Sequence, residues 1–514
     1  MRPTRPWRRW RMLGAVALAV TAVTPAVASA HGALRRSQPA SGARLTTAPS
    51  ELRLTFTEAP ALAVARVALL GPSGAAVALA PLALGGDGGR TVVAAVRGPL
   101  VAGAYTVTWQ IAGADGHPVR GRYTFVIAAG AAGLAGKPAP PPQAVDTGQA
   151  VGAPTGVAVG STVGGTDVPD ERGVAAAHHD PVSMPENAAG FDAESPLYVA
   201  VRWATYTALL VVLGAVAFRL AVLGVLARQR PGTPLVEPAS DGAARVGYQA
   251  AAALGVLALV RLAAQAYALQ EPGGPFDAGL IGPVIARTVW GWGWLLQVAG
   301  VLVAAVGFRV ARRAPGAGWA LAAVGAVALA FFPPLSGHAA STPDLAPLAI
   351  LADGLHVLGA GGWLGSLLLV VAVGLPVALR RAEAERGPAA ADLVNAFSPT
   401  ALGFAGLVAV TGGFATWIHV GSIPALWESG YGKLLLLKLG VLSIVAGTGA
   451  YNWLRVKPAL GDVEGARRIG RSARVELAIG VLVLVVTAAL VATPTAMDEQ
   501  MEEQTAAEPG AAPS

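Results

Sequence analysis

Eight long apolar stretches downstream of residue 196 constrain this chain more than any other feature. They lie near Leu197 to Ala227, Val246 to Leu269, Val289 to Val310, Gly318 to Phe332, Leu348 to Leu379, Pro399 to Val420, Tyr431 to Leu454 and Val475 to Val491. Crossing a bilayer takes about 20 apolar residues in a helix, and a helix satisfies its own backbone polar groups there. Most of the eight meet that length. The fourth is short, and Pro333-Pro334 is expected to end it. Composition agrees: of 514 residues 54% are hydrophobic and 13% charged, and the mean hydropathy is +0.56. Those values exclude an ordinary soluble enzyme and point to a membrane protein.

The charges sort by loop. Alternate connections hold Arg228, Arg230 and Arg245; Arg309, Arg312 and Arg313; Arg380, Arg381 and Arg386; and Arg455, Lys457, Arg467, Arg468, Arg471 and Arg474. The intervening ones carry Glu271, Asp277, Asp344 and Glu428. By the positive-inside rule the basic connections are cytoplasmic, so both mature termini lie outside. The net charge of +7 therefore describes membrane orientation, and no nucleic-acid partner is expected.

The N-terminus reads as a secretory signal over residues 1–30. Arg2, Arg5, Arg8, Arg9 and Arg11 precede an apolar stretch, Leu13 to Val27, and Ala28-Ser29-Ala30 supplies a cleavage site. Residues 31–129 carry short β-like runs broken by Pro and Gly: Glu51 to Thr57, Ala63 to Leu70, Thr91 to Val96, Gly103 to Gln110 and Gly121 to Ile127. This rhythm predicts a small antiparallel β-sandwich. Residues 130–195, with Lys137-Pro-Ala-Pro-Pro-Pro142 and Gly/Ala/Thr/Val-rich sequence, read as a flexible linker. Its His178-His179-Asp180 and Met184 are transient metal contacts or plain solvated residues. The membrane domain then takes 196–496, and 497–514 form a polar tail.

Cleavage after Ala30 makes His31 the first residue, with a free amine and an imidazole that together form a bidentate nitrogen chelate suited to copper. The sandwich holds one other histidine, in Ala114-Asp115-Gly116-His117-Pro118, between two expected strands. His31, Asp115 and His117 give three nitrogens and a carboxylate oxygen, a set for tetragonal copper(II). Taken alone, Asp-Gly-His is also an ordinary surface turn. The chain has no cysteine, and its five methionines (Met1, Met12, Met184, Met497, Met501) all fall outside the sandwich, which leaves no soft copper(I) site there.

The segments His31-Gly-Ala-Leu, Pro39-Ala-Ser-Gly42, Pro49 to Glu58, Tyr105-Thr-Val-Thr-Trp109 and Asp115-Gly-His117-Pro-Val-Arg-Gly121 resemble the CopC copper-binding family. The resemblance covers His31 to about Ile127. It implies an exported, cupredoxin- or immunoglobulin-like all-β sandwich in which His31, Asp115 and His117 match the copper(II) ligands, and in which the methionine-rich motif of some members is missing. Glu58 falls near the site without an assigned role.

In the membrane half the histidines are His338, His356 and His419, all toward the outer side in the topology above. Asp353 and His356 are three apart on one helical face. His338, His356 and His419 form a candidate shared metal site with Asp353 as ligand or hydrogen-bond partner. The competing reading is interfacial histidines and a helix-packing aspartate. Trp363 is two turns beyond His356 and is placed in the same region. Lys433 is expected to snorkel, Lys438 and Arg202 to lie deeper, and Asn452 and Glu476 to meet the basic inner loops. Ser336-Gly-His-Ala339, Leu355 to Gly365, Gly412 to His419 and Tyr431 to Lys438 resemble the CopD family. That likeness spans roughly Leu197 to Ala496 and implies an all-α polytopic inner-membrane protein linked to copper resistance or uptake.

The expected function is capture of copper(II) outside the bacterial cytoplasmic membrane, from a periplasmic or extracellular copper donor, and delivery through the linker to the membrane domain for import. Partners are then the copper ion and the lipid bilayer, with copper also a candidate in the membrane domain. No glycine-rich phosphate loop with Lys-Ser/Thr is present to drive ATP-dependent export. Alternatives are resistance or export, haem-linked transmembrane copper reduction by the membrane histidines, and a copper-dependent monooxygenase, whose N-terminal histidine looks alike.

Overall fold

The computed structural model describes residues 34–57, 59–112, 118–132, 196–270, 276–335, 346–420, 422–452, 454, 463–491 and 493. Residues 34–132 form a two-sheet sandwich. One sheet has the order β1 (Leu34–Gln38), β3 (Glu51–Phe56), β7 (Thr91–Ala95), β6 (Ala83–Leu84). The other runs β2 (Arg44–Thr47), β9 (Pro118–Ala132), β8 (Gly103–Ala112), β4 (Arg66–Leu70), β5 (Ala76–Val77).

Alternation explains the fold. In β3, Leu52, Leu54 and Phe56 turn inward and are at most 1% exposed, while the residues between them are half-buried. Val92 and Ala94 of β7, Tyr105 to Ile111 at alternate positions of β8, and Tyr123, Phe125 and Ile127 of β9 complete one apolar core. Tyr105 and Phe125, opposite each other in the ladder, stack at 5.3 Å. The Tyr105 hydroxyl accepts from the Val101 amide at 2.7 Å and donates to its carbonyl at 2.8 Å, so a buried polar tip is satisfied.

Two expectations for the sandwich are corrected. The run from Ala63 does not begin as strand: Leu62–Val64 is a single 3-10 turn, and pairing starts at Arg66. The sandwich is not wholly antiparallel either, because β2 pairs parallel to β9. Here a crossover from the first sheet adds β2 beside the long β9, and a four-residue run carries too little pattern to show its direction.

Among the described residues, eight helices are long and apolar enough to cross a membrane: Pro196–Gln229, Val236–Ala268, Val289–Ala311, Pro315–Leu335, Pro347–Leu379, Glu383–Ile418, Gly430–Tyr451 and Gly470–Leu490. These are spans one to eight. Span four is corrected: its helix begins at Pro315, and Pro333 and Pro334 lie inside its last turn. Proline there removes only the bonds to the Leu329 and Ala330 carbonyls, a small loss at an end that frays anyway. Span six begins far upstream of Pro399, at Glu383, and runs through Pro388 and Pro399. Several basic residues placed in connections, Arg228, Arg245, Arg309 and Arg386 among them, sit instead on helix extensions beyond the apolar windows.

Spans one to six share a continuous core around Leu213, Phe218, Leu254, Phe308, Leu329 and Leu393. Spans one and five touch backbone to backbone, since a Cβ on Gly365 would run into the Leu210 carbonyl and Gly214. Gly361–Gly365 is a π-helical turn at this approach. At the far end of the bundle, Arg230 pairs with Asp392 at 3.1 Å and ties span one to span six. The sandwich touches the bundle at the opposite end of span two, beside Ala268.

Candidate metal sites

His31, Asp115 and His117 lie outside the described residues, and so does Glu58. The strands that flank them in sequence are described. β1 starts at Leu34, opposite Phe56 at the end of β3. The Phe56 ring meets Trp109 edge-on at 5.1 Å, near the end of β8. Ala112, the last residue of β8, pairs with Pro118, the first of β9, on either side of the segment that holds Asp115 and His117. The Ala61 amide donates to the Ala112 carbonyl at 3.0 Å. The flanks of all three candidate ligands therefore meet at one end of the sandwich, which is also the end against the membrane helices. Next to this core, burial pushes the Tyr123 phenol up to about 12, so it stays neutral at physiological pH.

In the membrane half, His356 is half-buried on span five, and its Nδ1 stands 3.0 Å from the Thr411 hydroxyl of span six. Thr411 already donates its proton to the Leu407 carbonyl at 2.7 Å. A hydroxyl has one proton, so with that bond made it accepts from His356 Nδ1–H, and the imidazole also bonds the Val408 backbone. A Cβ at position 412 would stand 3.2 Å from His356 Cε1, so Gly412 makes room for the ring.

Asp353, one turn earlier, lies within Coulombic reach of Lys438 on span seven, which also reaches His356. Tyr206 of span one and Tyr431 of span seven feel the same carboxyl group. His338 lies outside the described residues, as does the side chain of His419. Among the described residues no three His, Asp or Glu side chains cluster as a metal site.

Other membrane residues take definite partners. Trp363 packs with Val441, Val445 and Val483 of spans seven and eight. Buried Arg202 donates to the Ala488 carbonyl at 3.2 Å and covers the Tyr198 ring, a structural tie between spans one and eight. Asn452 and Glu476 bond to each other, where basic-loop partners were expected. Lys433 is exposed, as a snorkelling residue is. Sequence reasoning missed Thr411, because one threonine in an apolar run carries no pattern. It also missed the contact role of Gln110 and Arg120.

A two-sheet sandwich together with a bundle that has eight apolar helices among the described residues defines a multi-pass membrane protein with an appended all-β domain. Comparison with known families makes this specific: a CopC domain matches residues 34–128, the N-terminal domain of copper resistance protein D-like proteins matches 192–348, and copper resistance protein D matches 391–490. The chain belongs to the copper resistance family, with CopC and CopD parts in one polypeptide. Over 480 residues it is 23% identical to the copper transport protein CutJ of Bacillus subtilis (strain 168), covering 92% of this chain and 75% of that one. Copper resistance protein D of Pseudomonas syringae pv. tomato is 29% identical over 309 residues, 57% of this chain and 94% of its own. Copper resistance protein C of Escherichia coli is 32% identical over 107 residues, 20% of this chain and 83% of its own.

Proposed function

We propose that the chain, processed after Ala30, binds copper(II) outside the cytoplasmic membrane through the His31 amine and imidazole, Asp115 and His117, and passes copper to the membrane domain for import. Residues 31–129 are the capturing domain, 130–195 the linker, 196–496 the conducting domain and 497–514 an outer tail. The observation that carries this reading is the convergence of Leu34, Phe56, Ala112 and Pro118 at the end of the sandwich turned to the helices. The names of the relatives, a copper transport protein and two copper resistance proteins, agree in the metal. On the membrane side the acceptor is His356 Nε2, supported by Asp353, with His338 and His419 as further ligands.

Copper(II) needs nitrogen and oxygen donors in a tetragonal set, and the amine of residue 31 exists only after cleavage. Replacing His31 with Ala, or leaving one extra residue ahead of it, is expected to lower copper(II) affinity sharply and change the EPR spectrum of the purified chain. An unchanged spectrum and affinity would overturn the assignment.

A further inference from the structure

The last carbonyls of a helix find no donor within it, because the amides that would bond them lie past its end. Span two ends at Ala268, and the carbonyls of Ala268, Leu269 and Gln270 are met by two side chains of the sandwich. Gln110 Nε2 donates to Leu269 O at 2.7 Å. Arg120 Nη2 donates to Ala268 O at 2.7 Å and to Gln270 O at 3.1 Å. Arg120 Nε also donates to Gln110 Oε1 at 2.9 Å, which fixes the two side chains to each other.

Gln110 and Arg120 stand directly opposite in the β8–β9 ladder, so the sheet holds them in place before they meet the helix. A guanidinium at a helix C-terminus also complements the negative end of the helix dipole. Beside the polar contact lies an apolar one. Val64 and Ala112 of the sandwich pack with Leu262, Leu269, Leu280, Val284 and Trp290 of the membrane half, all buried. Gln110 is 6% exposed and Leu269 1% exposed, so the Gln110–Leu269 bond is closed to water.

We propose that Gln110 and Arg120 are a docking clamp that caps span two in trans and seats the sandwich on the membrane domain, so the chain works as a docked unit. A sandwich roaming on its linker is the alternative. The seat places the β8–β9 end against the outer ends of spans two and three; that this end delivers copper rests on the function proposed above, whereas the seat does not.

The chain has no cysteine, so two can be introduced cleanly. Ala61→Cys with Ile281→Cys, two half-buried positions at the edge of this contact, treated in membranes with a short bis-maleimide, is expected to cross-link in high yield within the chain. Val101→Cys with Ile281→Cys, from the opposite end of β8, is expected to stay uncross-linked. Adding Gln110→Ala and Arg120→Ala should cut the first yield severalfold, and Leu280→Glu, which alters only the membrane side, should do the same. Copper(II) EPR of the Leu280→Glu protein should be unchanged, which separates loss of the seat from loss of the metal site. Equal yields for the two cysteine pairs, or a first yield indifferent to both sets of substitutions, would overturn the clamp. A protein that cross-links as expected but binds no copper(II) would overturn the proposed function and leave the clamp standing.

Discussion

At the scale of single residues, the Thr411 hydroxyl of span six is a polar partner of His356 on span five. Thr411 gives its hydrogen to Leu407 O and stands 3.0 Å from His356 Nδ1, so in the proposed function it orients the ring with Nε2 toward the metal. Removing a group that orients a ligating histidine typically lowers metal affinity or activity about 10- to 100-fold. Thr411→Val keeps the shape and loses the hydroxyl, so copper transport should fall by about that factor at equal abundance in the membrane. Thr411→Ser should restore most of it. Transport unchanged by the valine would show that His356 does not act through this bond. Asp353 and His356 were legible from their spacing on one helix, but the threonine was not, since its role exists only once spans five and six are packed.

Elements were legible in proportion to their length and pattern. The five expected strands all contain observed strand because alternation in runs such as Glu51 to Thr57 reflects one face turned to a core. The edge pieces, β5 and β6, are two residues each and carry no period to read. Helix cores were clear and their ends were not: hydropathy reports where lipid begins, while hydrogen bonding carries Val236–Ala268 and Glu383–Val420 well past it. For the candidate site, sequence nominated His31, Asp115 and His117, which lie outside the described residues, but it did not show that the strands flanking them in sequence pair at one end. Trp109 holds that end together through Phe56, at 8% exposure. Trp109→Ala should therefore destabilise the sandwich by about 3–5 kcal/mol in a denaturant titration. A loss below about 1 kcal/mol would show that the Phe56–Trp109 contact does not organise the end that faces the helices.

At the scale of the whole molecule, two halves with separate cores meet at one seat. The sandwich rests at the end of span two remote from the Arg230–Asp392 pair, which fits an outer sandwich and a basic inner face. In the proposed function, capture at the end of the sandwich, docking and acceptance at His356 form one path. Radiocopper accumulation in cells that express the full chain, compared with His117→Ala and His356→Ala at equal abundance, tests this path most directly. The account predicts that the intact chain raises cellular copper and that each variant loses most of the increase. Higher accumulation in cells lacking the chain, or full accumulation with either variant, would contradict it.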